Sequence, residues 1–218
     1  MAKPDLTKRY IAEQFKVLVR RGDYRSITVQ AIAQACEINR KTFYYHFFGR
    51  EDLATYVFRT DLANRLSEAM GESNLMSNAN SEDDKYRMYP CFYRGVERER
   101  HIEFFREFSN YVKDECAFLR KMYGSSDWGY FTSYLFQVYR PLFEGNLRAM
   151  LSQRNAVISD DELAYLASYY TNASVLWVIN RHVAMSDHYS DDVKRNLGSL
   201  IIDSMEGALD RRCLRSAK

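Results

Sequence analysis

Residues 39–52, NRKTFYYHFFGRED, place three cations, two tyrosines, a histidine and a threonine around three phenylalanines in little more than one short helix. Arginine and lysine can donate to guanine O6 and N7, and tyrosine and threonine hydroxyls can donate to phosphate oxygens. The chemistry these types share is recognition of a polyanion with readable edges. On a helix over 40–47, Phe43 and Phe47 lie four apart and turn inward with Ile38, which leaves Arg40, Lys41, Tyr44 and Tyr45 outward. Other chemistry finds little support. The histidines His46, His101, His182 and His188 have no metal-ligand spacing with one another or with cysteine, and no glycine-rich phosphate loop, nucleophile elbow or local Cys/His pair is present. No catalytic residue, metal or cofactor is expected.

The elements that must position this stretch are helical, because the apolar residues recur at three and four rather than at two and prolines number only three. A first helix over 7–21 gathers Ile11, Phe15, Leu18 and Val19 on one face and stops at Gly22. Thr28 caps a short second helix that buries Val29, Ile32 and Ala33. The turn CEIN follows, and Asn39 caps the helix 40–47. Two short helices joined by a turn of about four residues form the layout of a helix-turn-helix DNA reader. Gly49 ends the third helix, and Glu51 and Asp52 open a fourth over 51–70. Residues 71–84, rich in Ser, Asn and acids, read as a loop, and about three helices are expected over 85–152, interrupted near Pro90 and at YGSSDWG. Two long helices close the chain.

Charge supports the same assignment. The net charge of the 218 residues is only +2, yet residues 1–50 hold ten Lys/Arg against four Asp/Glu and the remainder is net acidic. Cys36, Cys91, Cys116 and Cys213 are far apart and read as reduced thiols. No apolar run approaches the roughly 18–20 residues that span a bilayer, so no membrane contact and a soluble, cytoplasmic protein are expected.

The segment ITVQAIAQACEINRKTFYYHFFGREDL, 27–53, resembles the DNA-binding segment of the tetracycline-repressor (TetR) family, whose pattern reads approximately I-T-x-x-x-I-A-x-x-x-G-V-S-x-x-T-x-Y-x-H-F-x-x-K-x-x-L. Ile27, Thr28, Ile32, Ala33, Thr42, Tyr44, His46, Phe47 and Leu53 match, and Arg50 stands for the lysine. The resemblance implies an all-α chain with a three-helix helix-turn-helix DNA-binding domain at 1–48 and a helical effector-binding and dimerisation domain at 49–218. It implies that Thr28 bonds a phosphate, that Gln30 reads a base, that Arg40 and Lys41 enter the major groove of double-stranded operator DNA, and that Thr42, Tyr44, Tyr45 and His46 clamp flanking phosphates while Arg50 reaches the DNA backbone. Glu37 stands where the family prefers glycine; a non-glycine residue at positive φ there costs roughly 1 kcal/mol. Lys41 replaces a usually small residue.

For the body, seventeen of the thirty-two aromatics fall within 86–143. They read either as a packed core or as a pocket for a small apolar or aromatic effector, lined from among Phe105, Phe108, Trp128, Phe131 and Tyr134. The family's last two helices meet a twofold mate in a four-helix bundle, which makes Tyr170, Trp177, Leu197 and Ile201 the homodimer-interface candidates. The expected function is a dimeric transcriptional regulator, with repression as the family's commoner mode. The alternatives are a regulator or interaction module controlled by a protein partner and a helical enzyme with an aromatic cavity.

Overall fold

The computed structural model describes residues 3–76, 91–93, 95–184 and 191–216. Pro90, His188, the side chain of Cys213 and residues 77–84 of the expected loop lie outside them. The described residues are overwhelmingly helical, in the order α1 (Lys3–Arg21), α2 (Val29–Ala35), α3 (Arg40–His46), α4 (Arg50–Met70), β1 (Leu75–Met76), β2 (Phe92–Tyr93), α5 (Arg98–Asp114), α6 (Cys116–Met122), α7 (Ser126–Gln153), α8 (Asp160–Tyr170), α9 (Trp177–Val183) and α10 (Asp191–Ser216). A π-helical segment, Thr171–Leu176, joins α8 to α9 without a break. Among the described residues no helix is long and apolar enough to cross a membrane.

Capping chemistry fixes the helix starts. Thr28 accepts from Ala31 N at 3.1 Å, Asn39 from Thr42 N at 2.7 Å and Ser159 from Glu162 N at 3.2 Å, each satisfying a backbone N–H that has no partner inside its helix. At the start of α4 the Asp52 carboxylate accepts from Phe48 N at 3.1 Å. The end of α4 turns at Gly71, whose φ of 78° suits a residue without Cβ. The expected loop after it is partly ordered into something else: a 3-10 turn, Glu72–Asn74, leads into β1, which pairs antiparallel with β2 in the register Leu75↔Tyr93 and Met76↔Phe92. A two-residue strand is too short to display alternation, so periodicity could not reveal it.

One continuous core runs through the molecule. Ile11, Phe15, Val19, Ile32, Phe43 and Phe47 close the first three helices against Leu53 and Tyr56 of α4, and α4 then threads Phe58, Leu62 and Leu66 between α5 and α7. Where it passes between the first three helices and the body, α4 is buried at every position from Asp52 to Arg59, the polar Asp52, Thr55 and Arg59 included. α10 lies on α5, where Gly198 allows an approach so close that an added Cβ would stand 3.0 Å from Ile102 Cα.

Candidate nucleic-acid interface

The turn between α2 and α3 aims the reading helix. Glu37 N donates to Gln34 O at 3.1 Å and Ile38 N to Ala33 O at 3.0 Å, the paired bonds of a Schellman stop, with Glu37 at φ 55°. The chain therefore accepts the strain expected of a non-glycine at this position, and Ile38 follows immediately to pack against the core.

From that turn α3 presents two faces. Phe43 and Phe47 are buried, their ring centroids 5.8 Å apart. Arg40, Lys41, Tyr44 and Tyr45 are outward, with Tyr45 78% exposed and the Arg40 guanidinium 5.9 Å from the Tyr44 ring centroid. Thr28 and Gln30 at the start of α2 are exposed beside them in sequence. His46 is half-buried, its ring edge-on to Tyr45 at 5.0 Å; burial and the charge of Lys8 lower its pKa, so it offers a neutral imidazole. Phe48 is 79% exposed at the exit of α3.

Two expected phosphate contacts are placed differently. Thr42 is half-buried and its hydroxyl donates to Asn39 Oδ1 at 3.1 Å, so its proton is already engaged in the cap. Arg50 turns inward. Its Nε and Nη2 make a bidentate pair with Asp127 at 2.7 and 3.1 Å, and Nη1 donates to the carbonyls of Tyr24 and Ile27 at 3.0 and 2.7 Å. The guanidinium also lies 4.6 Å from the Tyr24 ring. Four of the five guanidinium N–H donors are thus engaged within the protein and the group faces inward rather than toward DNA, so the expectation for Arg50 is corrected accordingly.

Arg50 instead belongs to a junction between the first three helices and the body. Tyr24 OH donates to Asp127 Oδ2 at 2.8 Å, and Lys121 Nζ donates to the carbonyls of Val19, Arg20 and Gly22 at 2.7, 3.0 and 3.1 Å, capping the end of α1 from α6. Burial raises the Asp127 carboxyl, but hydrogen bonds from Arg50 and Tyr24 outweigh it and hold the pKa below the ordinary range. Nothing in the local sequence around Lys121 or Asp127 signals this, because the partners are about a hundred residues away.

The body candidates also move. Phe105, Phe108 and Phe131 are essentially inaccessible and Tyr134 is buried; Phe58 packs on Phe131 at 5.0 Å and on Phe108 at 6.5 Å, and half-buried Trp128 lies 5.6 Å from Phe131. These rings fill core space against one another. A groove of about 640 Å³ does open between α1, α4 and α5, but charged Lys16, Asp61, Arg65, Glu68 and Glu107 line it. Of the interface candidates, Tyr170, Leu197 and Ile201 are already covered by their own chain, Tyr170 donating to Ser204 O at 2.9 Å, and Trp177 is half-buried under Arg181. Among the described residues of α8 and α10, Tyr165, Tyr169 and Leu200 are large apolar side chains left exposed, at 66, 50 and 53%.

Comparison with known proteins adds to this geometry. Residues 16–57 match the model of bacterial regulatory proteins of the tetR family, and residues 99–180 match a transcriptional regulator C-terminal region of the same family, together more than half of the chain. The dhaKLM operon transcriptional activator DhaS of Lactococcus lactis subsp. lactis (strain IL1403) is 35% identical over 68 residues, a stretch that spans 31% of this chain and 36% of that protein. Among solved structures, the dihydroxyacetone kinase operon activator DhaS superposes with a TM-score of 0.53 at 18% identity, covering 94% of this chain and 97% of that one. A transcriptional regulator from Pseudomonas aeruginosa PAO1 gives 0.59 at 15% identity, covering 97% and 96%. At these identities the two structures show a shared fold.

Proposed function

The chain belongs to the tetR family of bacterial regulatory proteins, a family of transcriptional regulators rather than enzymes, and from that premise we propose that it binds a near-palindromic operator as a homodimer. In this reading residues 1–48 form the DNA-binding head, and residues 49–218 form the body that dimerises and receives a signal. One observation carries it: α3 holds Arg40, Lys41, Tyr44 and Tyr45 in solvent on a helix whose other face is locked into the core by Phe43 and Phe47. Arg40 and Lys41 reach base edges in the major groove, Thr28, Tyr44, Tyr45 and His46 bind flanking phosphates, and Gln30 reads from the start of α2.

Dimerisation uses the uncovered stripe of α8. The Glu162–Arg212 pair at 3.4 Å and the Tyr170–Ser204 bond set α8 and α10 side by side and antiparallel. That register places exposed Leu200 level with Ser174 and its exposed neighbour Ala173, about one turn beyond exposed Tyr169 and two beyond exposed Tyr165, and in this reading these side chains form one face for a second copy. Tyr169→Glu should yield a monomer in sedimentation with the helical content unchanged.

The decisive experiment selects bound fragments from the source genome's own DNA. The expected product is a twofold-symmetric site with half-sites about 34–36 Å apart, bound with an affinity that falls steeply with salt as neutralised phosphates release counterions. An asymmetric product, or specific binding indifferent to salt, defeats the reading. The same selection decides the sign of regulation. The family's commoner mode places the site over a promoter; the relative named as an operon activator favours the second reading, a site upstream of one.

A further inference from the structure

Large apolar side chains left in solvent are unevenly spread over the described residues. Of eleven, three fall within residues 44–48: Tyr44 at 47%, Tyr45 at 78% and Phe48 at 79%, the last two being the most exposed aromatic rings among the described residues. A single apolar side chain on a surface needs no explanation, whereas neighbouring rings kept in water imply a partner that covers them. The two tyrosines have one in the phosphate contacts proposed for their hydroxyls. Phe48 has no hydroxyl, so that reading leaves its exposure without a cause.

The backbone sends this ring outward. Phe47 closes α3 in the extended conformation, φ −140° and ψ 140°, where successive side chains point to opposite sides of the chain. With Phe47 buried in the core, Phe48 is turned away from it. Phe48 N donates to Asp52 Oδ2 at 3.1 Å, and Asp52 is itself buried in the first turn of α4, so the ring departs from a segment pinned between two helices. A side chain on so fixed a backbone has less freedom to lose when a partner covers it.

Charge selects the partner. Residues 39–50 contain no acid, Arg40 and Lys41 are exposed, and the positive charge of Lys8 on α1 acts on His46, two residues before Phe48. The partner is therefore anionic and apolar at once. A duplex backbone is both, because its phosphates alternate with the C–H faces of deoxyribose. We propose that Phe48 packs against a deoxyribose of the operator, beside the phosphates bound by Tyr45 and His46, and supplies a part of the affinity that salt does not screen. This rests on the reading of α3 as a DNA-contacting helix and adds to it a contact of another kind. Ionic contacts weaken as salt rises because they release counterions, and burial of an apolar ring releases none.

Fluorescence anisotropy of the full chain on its selected operator, from low to high salt, tests the contact. Phe48→Ala should weaken binding about tenfold at every salt concentration, with the salt slope, the base preference and Tm unchanged. Phe48→Leu should restore most of the loss, and Phe48→Lys should steepen the slope of log K against log salt by about 0.9 per half-site, as an added phosphate contact does. The Phe48→Ala loss should be the same on an operator carrying uracil for thymine. A loss that vanishes there places the ring on the thymine methyl group and overturns the sugar contact. Unchanged affinity in Phe48→Ala, or a loss confined to low salt, also overturns it, and wild-type binding that falls steeply with salt then leaves the reading of α3 standing. A wild-type chain that binds no duplex overturns both.

Discussion

Arg40 and Lys41 stand at one end of a dozen residues and Arg50 at the other, and the two ends treat positive charge in opposite ways. On α3 the cations are exposed and have no ion pair among the described residues, with only the Tyr44 ring beside Arg40. At the start of α4 the guanidinium is mostly enclosed: an acid takes two bonds, two carbonyls take two more, and a tyrosine ring lies 4.6 Å away. A cation recognises DNA only if folding leaves its donors open, and it orients a domain only if folding consumes them. The same residue types therefore serve as reader and as hinge pin, and partners distant in sequence decide which.

The largest effect is expected where the pair is broken from the body side. Asp127→Ala strips Arg50 and Tyr24 of a shared acceptor in a mostly enclosed site. A broken buried pair costs about 3–5 kcal/mol; since the edge of this one reaches solvent, we expect about 2–3 kcal/mol. Hydrogen exchange should locate the loss in α1 and the turn at Tyr24–Ser26, and operator affinity should fall although no DNA-facing residue has changed. Exchange unchanged at Tyr24–Ser26 would mean that the junction does not order the head. The pH dependence has a definite sign. The folded carboxyl has a depressed pKa, so its contribution is complete above the unfolded value near 4 and disappears as pH falls through the folded one. Between pH 5 and 8 the junction should be constant.

On the open side the effects are smaller and fall on binding alone. Lys41→Ala should cost about 2 kcal/mol of operator affinity and relax preference at one base position in each half-site, with Tm unchanged, because the side chain is exposed and has no ion pair among the described residues. Fluorescence anisotropy on the selected site and on single-base variants reads both. Tyr44→Phe should cost about 1 kcal/mol of affinity evenly across sequences, the signature of a phosphate contact rather than a base contact. A base-selective loss at Tyr44 would transfer it to the reading set.

How far the residues alone disclosed this division depends on range. The three-helix head was legible because its signals are local: Thr28 and Asn39 announce caps, Phe43 and Phe47 announce a buried face, and the short stretch CEIN between the two helices announces a turn, which the backbone takes at φ 55° on Glu37 despite the absence of the glycine the family prefers. Arg50 was misassigned because its partner is seventy-seven residues away and no periodicity encodes that meeting. On α8, periodicity alone does not say which stripe faces in: the packing of α7 shows that Leu163, Leu166, Ala167 and Tyr170 are buried within the chain and that Tyr165 and Tyr169 face out. The aromatic richness of 86–143 fitted a packed core first and a pocket second, and ring-on-ring contacts show that Phe105, Phe108 and Phe131 build the core.

Thr42 stands between the two regimes and gives the finest test of them. Its position on α3 suits a phosphate clamp, yet its hydroxyl donates to Asn39, the residue that caps the helix. Thr42→Val keeps the shape and the β-branch and removes only the donor and acceptor. If the hydroxyl serves the cap, the loss is one exposed side-chain bond, about 0.5 kcal/mol of stability, and the salt dependence of operator binding is unchanged. If the hydroxyl instead turns to phosphate when DNA arrives, the same loss of stability is joined by a fall in affinity of about 1 kcal/mol without base preference, as for Tyr44→Phe. The bond to Asn39 already in place favours the first outcome. The second would mean that a group closed in the free protein opens on binding, and the line drawn between reading and positioning residues would then move with the ligand rather than with the fold.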